Sequence, residues 1–221
     1  MPLAILLVAM LALLLAGCVG SKRPKRPGSR PAAAAPARPS AEFNREMAQC
    51  RSRLLQQGVK FNVLADRTFS GGCSAWGTIQ LLDIGMPVTN LGAMRCPLAE
   101  KFAIWANEAL QPAAKAWLDA PVVKVESMGT YSCRPVNGRA GNKLSEHGRS
   151  NAVDVSAFIL ANGRRITVKG DWNGPDGGAR DFLRAVHASA CRRFTTVLGP
   201  SYNSLHHDHF HFDMGGSKFC R

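Results

Sequence analysis

An α+β domain is predicted by three helix-period patterns surrounding a short, largely antiparallel set of strand patterns, with six cysteines in the body to staple them. About 180 residues remain once the N-terminal segments are set aside, enough for one domain with its own core. No internal repeat is visible.

The elements follow in order. Ser40 caps a first helix carrying Phe43, Met47, Cys50 and Leu54 on one face and stopping at Gly58. Pro97 opens a second, with Leu98, Phe102, Trp105 and Ala109 inward, and Pro112 breaks or kinks it. VVKVESM (122–128) is strand-like. NAVDVSAFI (151–159) and RRITVK (164–169) flank Asn162-Gly163, a strong hairpin signal. A third helix runs over about Ala179–Cys191 with Phe182, Val186 and Ala190 on one stripe. TTVLG (195–199) and HFHFD (209–213) are late strands. The Gly-rich GDWNGPDGG (170–178) reads either as a rim of the cleft or as a plain connector.

Residues 3–16 are almost unbroken Leu, Ala, Val, Ile and Met, of signal-peptide length and short for a membrane span. They lead into Leu15-Ala16-Gly17-Cys18, which resembles a bacterial lipobox; that resemblance implies lipidation of Cys18, and Val19 in place of aspartate as the second residue after the cut implies outer-membrane sorting. Only Met1 and Pro2 precede the apolar run, so the usual positive leader would require a start upstream. The division expected is a signal peptide over 1–17, lipidated Cys18 and a disordered linker over 18–41, and the domain over 42–221. Residues 21–40 mix proline, alanine and six basic residues without one acid, and cannot bury enough surface to order themselves. The rest of the chain has 22 basic against 15 acidic residues, so the formal +13 is partly a property of this tail. Behind an export signal, anionic lipid or wall polymer suits the tail better than nucleic acid, for which no motif exists. The localisation expected is periplasmic, on the membrane through the lipid.

With Cys18 assigned to lipid, Cys50, Cys73, Cys96, Cys133, Cys191 and Cys220 remain, an even number that reads as three disulfides in an exported chain. No C-x-x-C spacing favours a thiolate metal site. Fifteen connectivities are open; the pairs expected are Cys191–Cys220 and Cys50–Cys73.

The chemistry gathers in SEHGRSNAVDV (145–155) and HHDHFHFDM (206–214), which hold five of the six histidines. His147 precedes Asp154 by seven positions; His206, His207, His209 and His211 follow some fifty residues on. A catalytic zinc takes three ligands from His and Asp or Glu and leaves a fourth position to water. On the first strand Asp154 points away from Val153 and Val155. In HFHFD, His209 and His211 share one face, Phe210 and Phe212 the core-facing one. Were the two strands neighbours, Asp154, His209 and His211 would converge, with His147 entering from its loop.

These residues resemble a known group. SEHGRSNAVDV is similar to the S-x-H-x-x-G-x-A-x-D element of the lysostaphin and D-Ala-D-Ala metallopeptidase superfamily, and HHDHFHFD to the H-x-x-H-x-H element of penicillin-insensitive murein endopeptidases. The region from about Glu42 to Arg221 also resembles the bacterial extensin-like C-terminal domain. The resemblance implies a fold like those peptidases, a Zn2+ cofactor, and His147, Asp154 and His211 as its ligands. His209 would lie beside the metal water and His206 support it. MGTYSCRPVNG (128–138) looks like the group's S-G-Y-R-S element, which implies that Arg134 contacts substrate. One departure stands out: the group's glycine three residues after the first ligand is Ser150 here.

Two residues compete as proton acceptor. Asp208 sits three before His211, where some relatives carry a glutamate base; His209, two before, faces the metal if the segment is a regular strand, and is favoured. His207 has no assigned role, and Asp213 either orients a ligand histidine or closes a turn. The function expected is hydrolysis of peptide bonds in peptidoglycan stem peptides or cross-links, by carboxypeptidase or endopeptidase action. The alternatives are an idle peptidoglycan-binding module, or a lipoprotein tethering membrane to wall.

Overall fold

The structure, a computed structural model, describes residues 39–221; the apolar leader, Cys18 and nearly all of the basic tail lie outside the described residues. In chain order the elements begin with α1 (Ala41–Gln56), β1 (Lys60–Val63), β2 (Arg67–Thr68), β3 (Ser74–Ala75), β4 (Thr78–Asp83), β5 (Val88–Thr89) and β6 (Met94–Arg95). Then come α2 (Cys96–Trp117), β7 (Val122–Gly129), β8 (Ala152–Leu160), β9 (Arg165–Thr167), α3 (Val168–Asp171) and α4 (Gly177–Arg193). The chain closes with β10 (Thr196–Leu198), β11 (Phe210–Asp213) and β12 (Phe219–Cys220). This is a small, disulfide-stabilised α+β fold, as the alternating patterns predict.

The helices start and stop for local reasons. The Ser40 hydroxyl accepts the Phe43 N–H at 3.1 Å and caps α1. Asp176 caps α4 by accepting the Ala179 N–H at 3.1 Å. The second helix departs from expectation, because α2 runs through Pro112 to Trp117. Pro112 and the residue four before it, Glu108, are both exposed, so water can satisfy the carbonyl that loses its bond. Ala109, Leu110, Ala113 and Ala114 on the opposite side are buried and hold the helix together across the proline.

The main sheet has seven strands, ordered β12-β10-β11-β8-β7-β5, with β9 also paired to β8. Its pairs are antiparallel except β10 with β12 and β5 with β7. One face is the core. Val153 and Val155 of β8 lie opposite Phe212 and Phe210 of β11. Phe212 stacks on Phe194 at 4.8 Å and meets Trp105 edge-on at 5.0 Å. The indole N–H of Trp105 donates to the Val186 carbonyl at 3.0 Å, joining α2 to α4 across that core. A bulge on β8 against β7 places Ser156 as an extra residue. It resets the alternation, so Phe158 beyond it again reaches Trp105 and Phe182. Truncating any of these buried aromatic rings to alanine would cost about 3–5 kcal/mol.

The other face of the sheet carries the polar residues. A second sheet, β1-β4-β6, packs beside α2; the sequence reading assigned nothing between Gly58 and Pro97. Its signal is faint but present, since Ile79 and Leu81 of β4 are buried on alternate positions. The stretch 170–178 is not one loop, since α3 ends within it and α4 begins within it, with Trp172 buried between them.

The disulfides are Cys50–Cys96, Cys73–Cys133 and Cys191–Cys220. The expected Cys50–Cys73 pair is therefore wrong. Cys50 on the buried face of α1 meets the first residue of α2, with Cα atoms 6.0 Å apart, a helix–helix contact that sequence spacing does not reveal. Cys73 instead ties down the loop that follows β7.

Candidate metal centre

The polar sheet face positions the site by register. His211 of β11 is paired directly with Asp154 of β8, so their side chains emerge side by side opposite the core. His147 arrives from a single 3-10 turn, Glu146–Arg149, whose start is capped by the Ser145 hydroxyl accepting the His147 N–H at 3.3 Å. The turn ends at Ser150 in the left-handed region, φ 53° and ψ 31°. That is the conformation a glycine would favour, so serine keeps the loop path at some strain. Gly148 is required for a different reason: a Cβ there would stand 2.8 Å from Leu144 and 3.1 Å from the Cys73 sulfur.

Three atoms converge. His147 Nε2 lies 3.1 Å from His211 Nδ1 and 3.2 Å from Asp154 Oδ1, and His211 Nδ1 is 3.0 Å from the same oxygen. All three residues are buried. The outer nitrogens are held. His147 Nδ1–H donates to the Thr130 carbonyl at 3.0 Å and His211 Nε2–H to Asp213 at 3.0 Å. Asp213 in turn accepts the Gly215 N–H at 2.8 Å. Those bonds fix both ring orientations and turn His147 Nε2 and His211 Nδ1 inward, where a bound cation would take the place of the proton they share with Asp154. Ligand atoms held about 2.0–2.2 Å from one tetrahedral Zn2+ stand roughly 3.4 Å from one another, close to the spacing found here. The residues present fit such a cation.

Electrostatics agree. Burial would raise the Asp154 carboxyl, but hydrogen bonds and charge from His147 and His211 outweigh it and hold the group far below the usual carboxylate range. Burial would lower His211, but Asp154 and Asp213 push it up to about 9. Both shifts have one meaning: two buried carboxylates make this point a place for positive charge.

The remaining expected residues surround the triad. His209 Nε2 faces Asp154 Oδ1 at 3.7 Å, while its Nδ1–H donates to Asp208 at 2.8 Å. Asp208 and His209 are thus partners in one dyad rather than rivals, with the imidazole on the inner side. His206 does not hydrogen-bond to either neighbour. Its ring packs 5.2 Å from His209 and 6.0 Å from His211, and its Nδ1 is held by Asn203 at 2.8 Å. Burial, then the neighbouring His211 and His209, lower His206 to about 4, so it is neutral near pH 7. Arg134 reaches within 3.9 Å of Asp154 and stays 45% exposed, a guanidinium facing the cleft. His207, which has no assigned role, is exposed.

The triad floors a cleft of about 460 Å³. One wall is the excursion from Arg134 to Ser145, closed by a Pro135–Leu144 bridge and carrying Lys143. An apolar part of the lining is formed by Leu205 and the edge-on pair Tyr202–Phe219. Sequence reasoning missed this part, along with Asn203 and the Thr130 carbonyl. Tyr202 lies only four residues before His206, but nothing in its local pattern shows that Phe219 will come to meet it. Residues 171–176 do not border the cleft. A second cluster, His187 with Cys191 and Cys220, offers no thiolate, because its cysteines are bonded to each other.

Among known proteins, the model of a family described as extensin-like protein C-terminus matches residues 48–221. No curated protein and no solved structure matches.

Proposed function

The chain belongs to the family of extensin-like protein C-termini, and we propose that it is an exported zinc peptidase acting on peptide bonds of peptidoglycan. The observation that carries this reading is the convergence of His147 Nε2, Asp154 and His211 Nδ1, with both rings held by partners behind them. A purely structural cluster has no need to bury two imidazoles around one carboxylate and to hold each ring from behind. When bound, zinc would supply an activated water and a polarised carbonyl.

The chain's own residues supply the rest. With its Nδ1–H engaged by Asp208, His209 presents a bare Nε2 to the centre. It is placed to take the proton of the attacking water and deliver it to the leaving amine nitrogen. Arg134 offers a planar fork suited to a substrate carboxylate or to the oxygen that gains charge during attack. His206, neutral and packed on His209, excludes water from that ring. The lipobox-like Leu15–Cys18 and the basic 21–40 segment support a membrane-anchored periplasmic location beside the wall.

Digestion of purified peptidoglycan by residues 42–221, zinc-loaded or chelated, tests the reading through mass analysis of released fragments. Peptide-bond cleavage that requires zinc is the result expected. Retention on peptidoglycan without any cleavage would leave a binding module instead. Deleting residues 21–40 from the intact chain separates a tether, which would lose function, from a peptidase, which would keep it.

A further inference from the structure

We infer that the substrate groove continues past the Asp208–His209 dyad into a second arm, which binds a carboxylate-bearing stretch of the same chain, so that the bond cut is internal. This rests on the peptidase reading above and narrows its substrate. The arm is a second cavity of about 510 Å³ bordered by Met128, Ser156, Thr167, Lys169 and Asp208. Asp208 borders the second cavity and is hydrogen-bonded to His209, which borders the main cleft, so the dyad stands between the two spaces.

Strand geometry sets the two spaces side by side. Asp154 and Ser156 lie two residues apart on β8, about 7 Å along the strand. Alternation puts Ser156 on the polar face with Asp154, and Ser156 is the extra residue of the bulge. On that edge of β8, β11 pairs as far as Val155, and β9 takes over from Ala157. The second cavity opens where one partner strand gives way to the other.

Its chemistry indicates what it would hold. Arg165 is already engaged by Glu126 at 2.6 and 3.0 Å and the Asp208 carboxylate by His209, so the exposed Lys169 ammonium is the cation left for a ligand. Met128, 51% exposed, adds an apolar surface beside it. Ten large apolar side chains are exposed among the described residues, and four of them border these two arms: Tyr202, Leu205 and Phe219 on one, Met128 on the other. Such concentration along one groove marks a ligand track rather than scattered surface. An enzyme that removes a terminal residue needs only one long arm, whereas two arms flanking the triad accommodate chain on both sides of the bond.

The test compares an uncross-linked muropeptide monomer, which fills one arm, with a cross-linked dimer, which spans both. Affinities are measured by calorimetry on the full chain carrying His209→Ala, so that turnover does not interfere. The dimer should bind at least tenfold more tightly than the monomer. Adding Lys169→Glu or Lys169→Met should abolish that gap while leaving monomer affinity within twofold. Equal affinities in the parent, an equal loss for both ligands on substitution, or no binding of either would overturn the second arm. Hydrolysis by the chain with His209 intact is assayed separately. Its absence alongside a Lys169-dependent gap would fail the peptidase reading and leave the arm standing.

Discussion

His211 lies on β11 and His209 one residue before that strand begins, and the bonds behind them hold them in opposite senses. His211 is held through Nε2 by Asp213 and turns Nδ1 inward; His209 is held through Nδ1 by Asp208 and turns Nε2 inward. His211→Ala should therefore abolish both zinc content and hydrolysis. His209→Ala should retain zinc by atomic absorption and lose about 10²–10⁴ in kcat. Zinc lost from the second variant would mean the two roles are exchanged. Asp208→Asn should keep zinc and lower kcat at least tenfold, about the scale on which a dyad's orienting carboxylate acts. Ser150 gives a backbone prediction at the same scale. A β-branched Ser150→Val, strained at φ 53°, should lower unfolding free energy by more than about 2 kcal/mol in urea titrations. Ser150→Gly should stay within about 1 kcal/mol of the parent.

The excursion between β7 and β8 shows how an element acquires a task from one cross-link. It carries Arg134, Lys143 and His147, and its base is tied by Cys73–Cys133 beside Arg134. Cys50–Cys96 ties α1 to α2 far along the chain from those residues. Replacing Cys73 and Cys133 together by serine should raise KM more than it lowers stability. The Cys50/Cys96 double substitution should cost about 2–4 kcal/mol with little change in KM. Equal KM effects in the two would disprove this division of labour. Within α2, Pro112→Ala restores the missing backbone donor on an exposed turn and should stabilise the protein by about 1–2 kcal/mol in the same titration.

Across the whole molecule, stability should respond to pH through His187. It is buried against Trp172 and Phe210, its Nε2 has no hydrogen-bond partner, and burial lowers its pKa. The unfolded chain protonates this ring near the ordinary value of about 6.5, while the folded chain resists until lower pH. Its share of stability is thus complete above about pH 6.5 and is lost as pH falls through the folded value. Urea titrations at pH 7.5 and 5.5 should show this loss in the parent and a smaller one in His187→Gln. Zinc should act on the whole fold as well. At a thousandfold excess over Kd it would add about 4 kcal/mol, raising Tm in a way that chelator reverses.

The polymer's own periodicities determined much of this protein. The α1 cap at Ser40, the buried stripes of α2 and α4, the hairpin at Asn162-Gly163 and the alternation in HFHFD all depend on neighbours within a few residues. They were legible because short-range sterics and burial on one face act through local spacing. The clustering of histidines was legible for a similar reason, since a centre built on one strand face and one turn needs its ligands at short intervals. Other features were settled only by tertiary structure, because they depend on which distant segments meet. Cys50 chose Cys96 over Cys73 because α1 packs on α2. Pro112 stayed helical because the alanine side of its turn is buried while its own side faces water. Asp208 became the partner of His209 because the chain bends just before β11 and brings the two side chains within 2.8 Å. The apolar lining needed Phe219 to travel to Tyr202, and no local pattern carries that information.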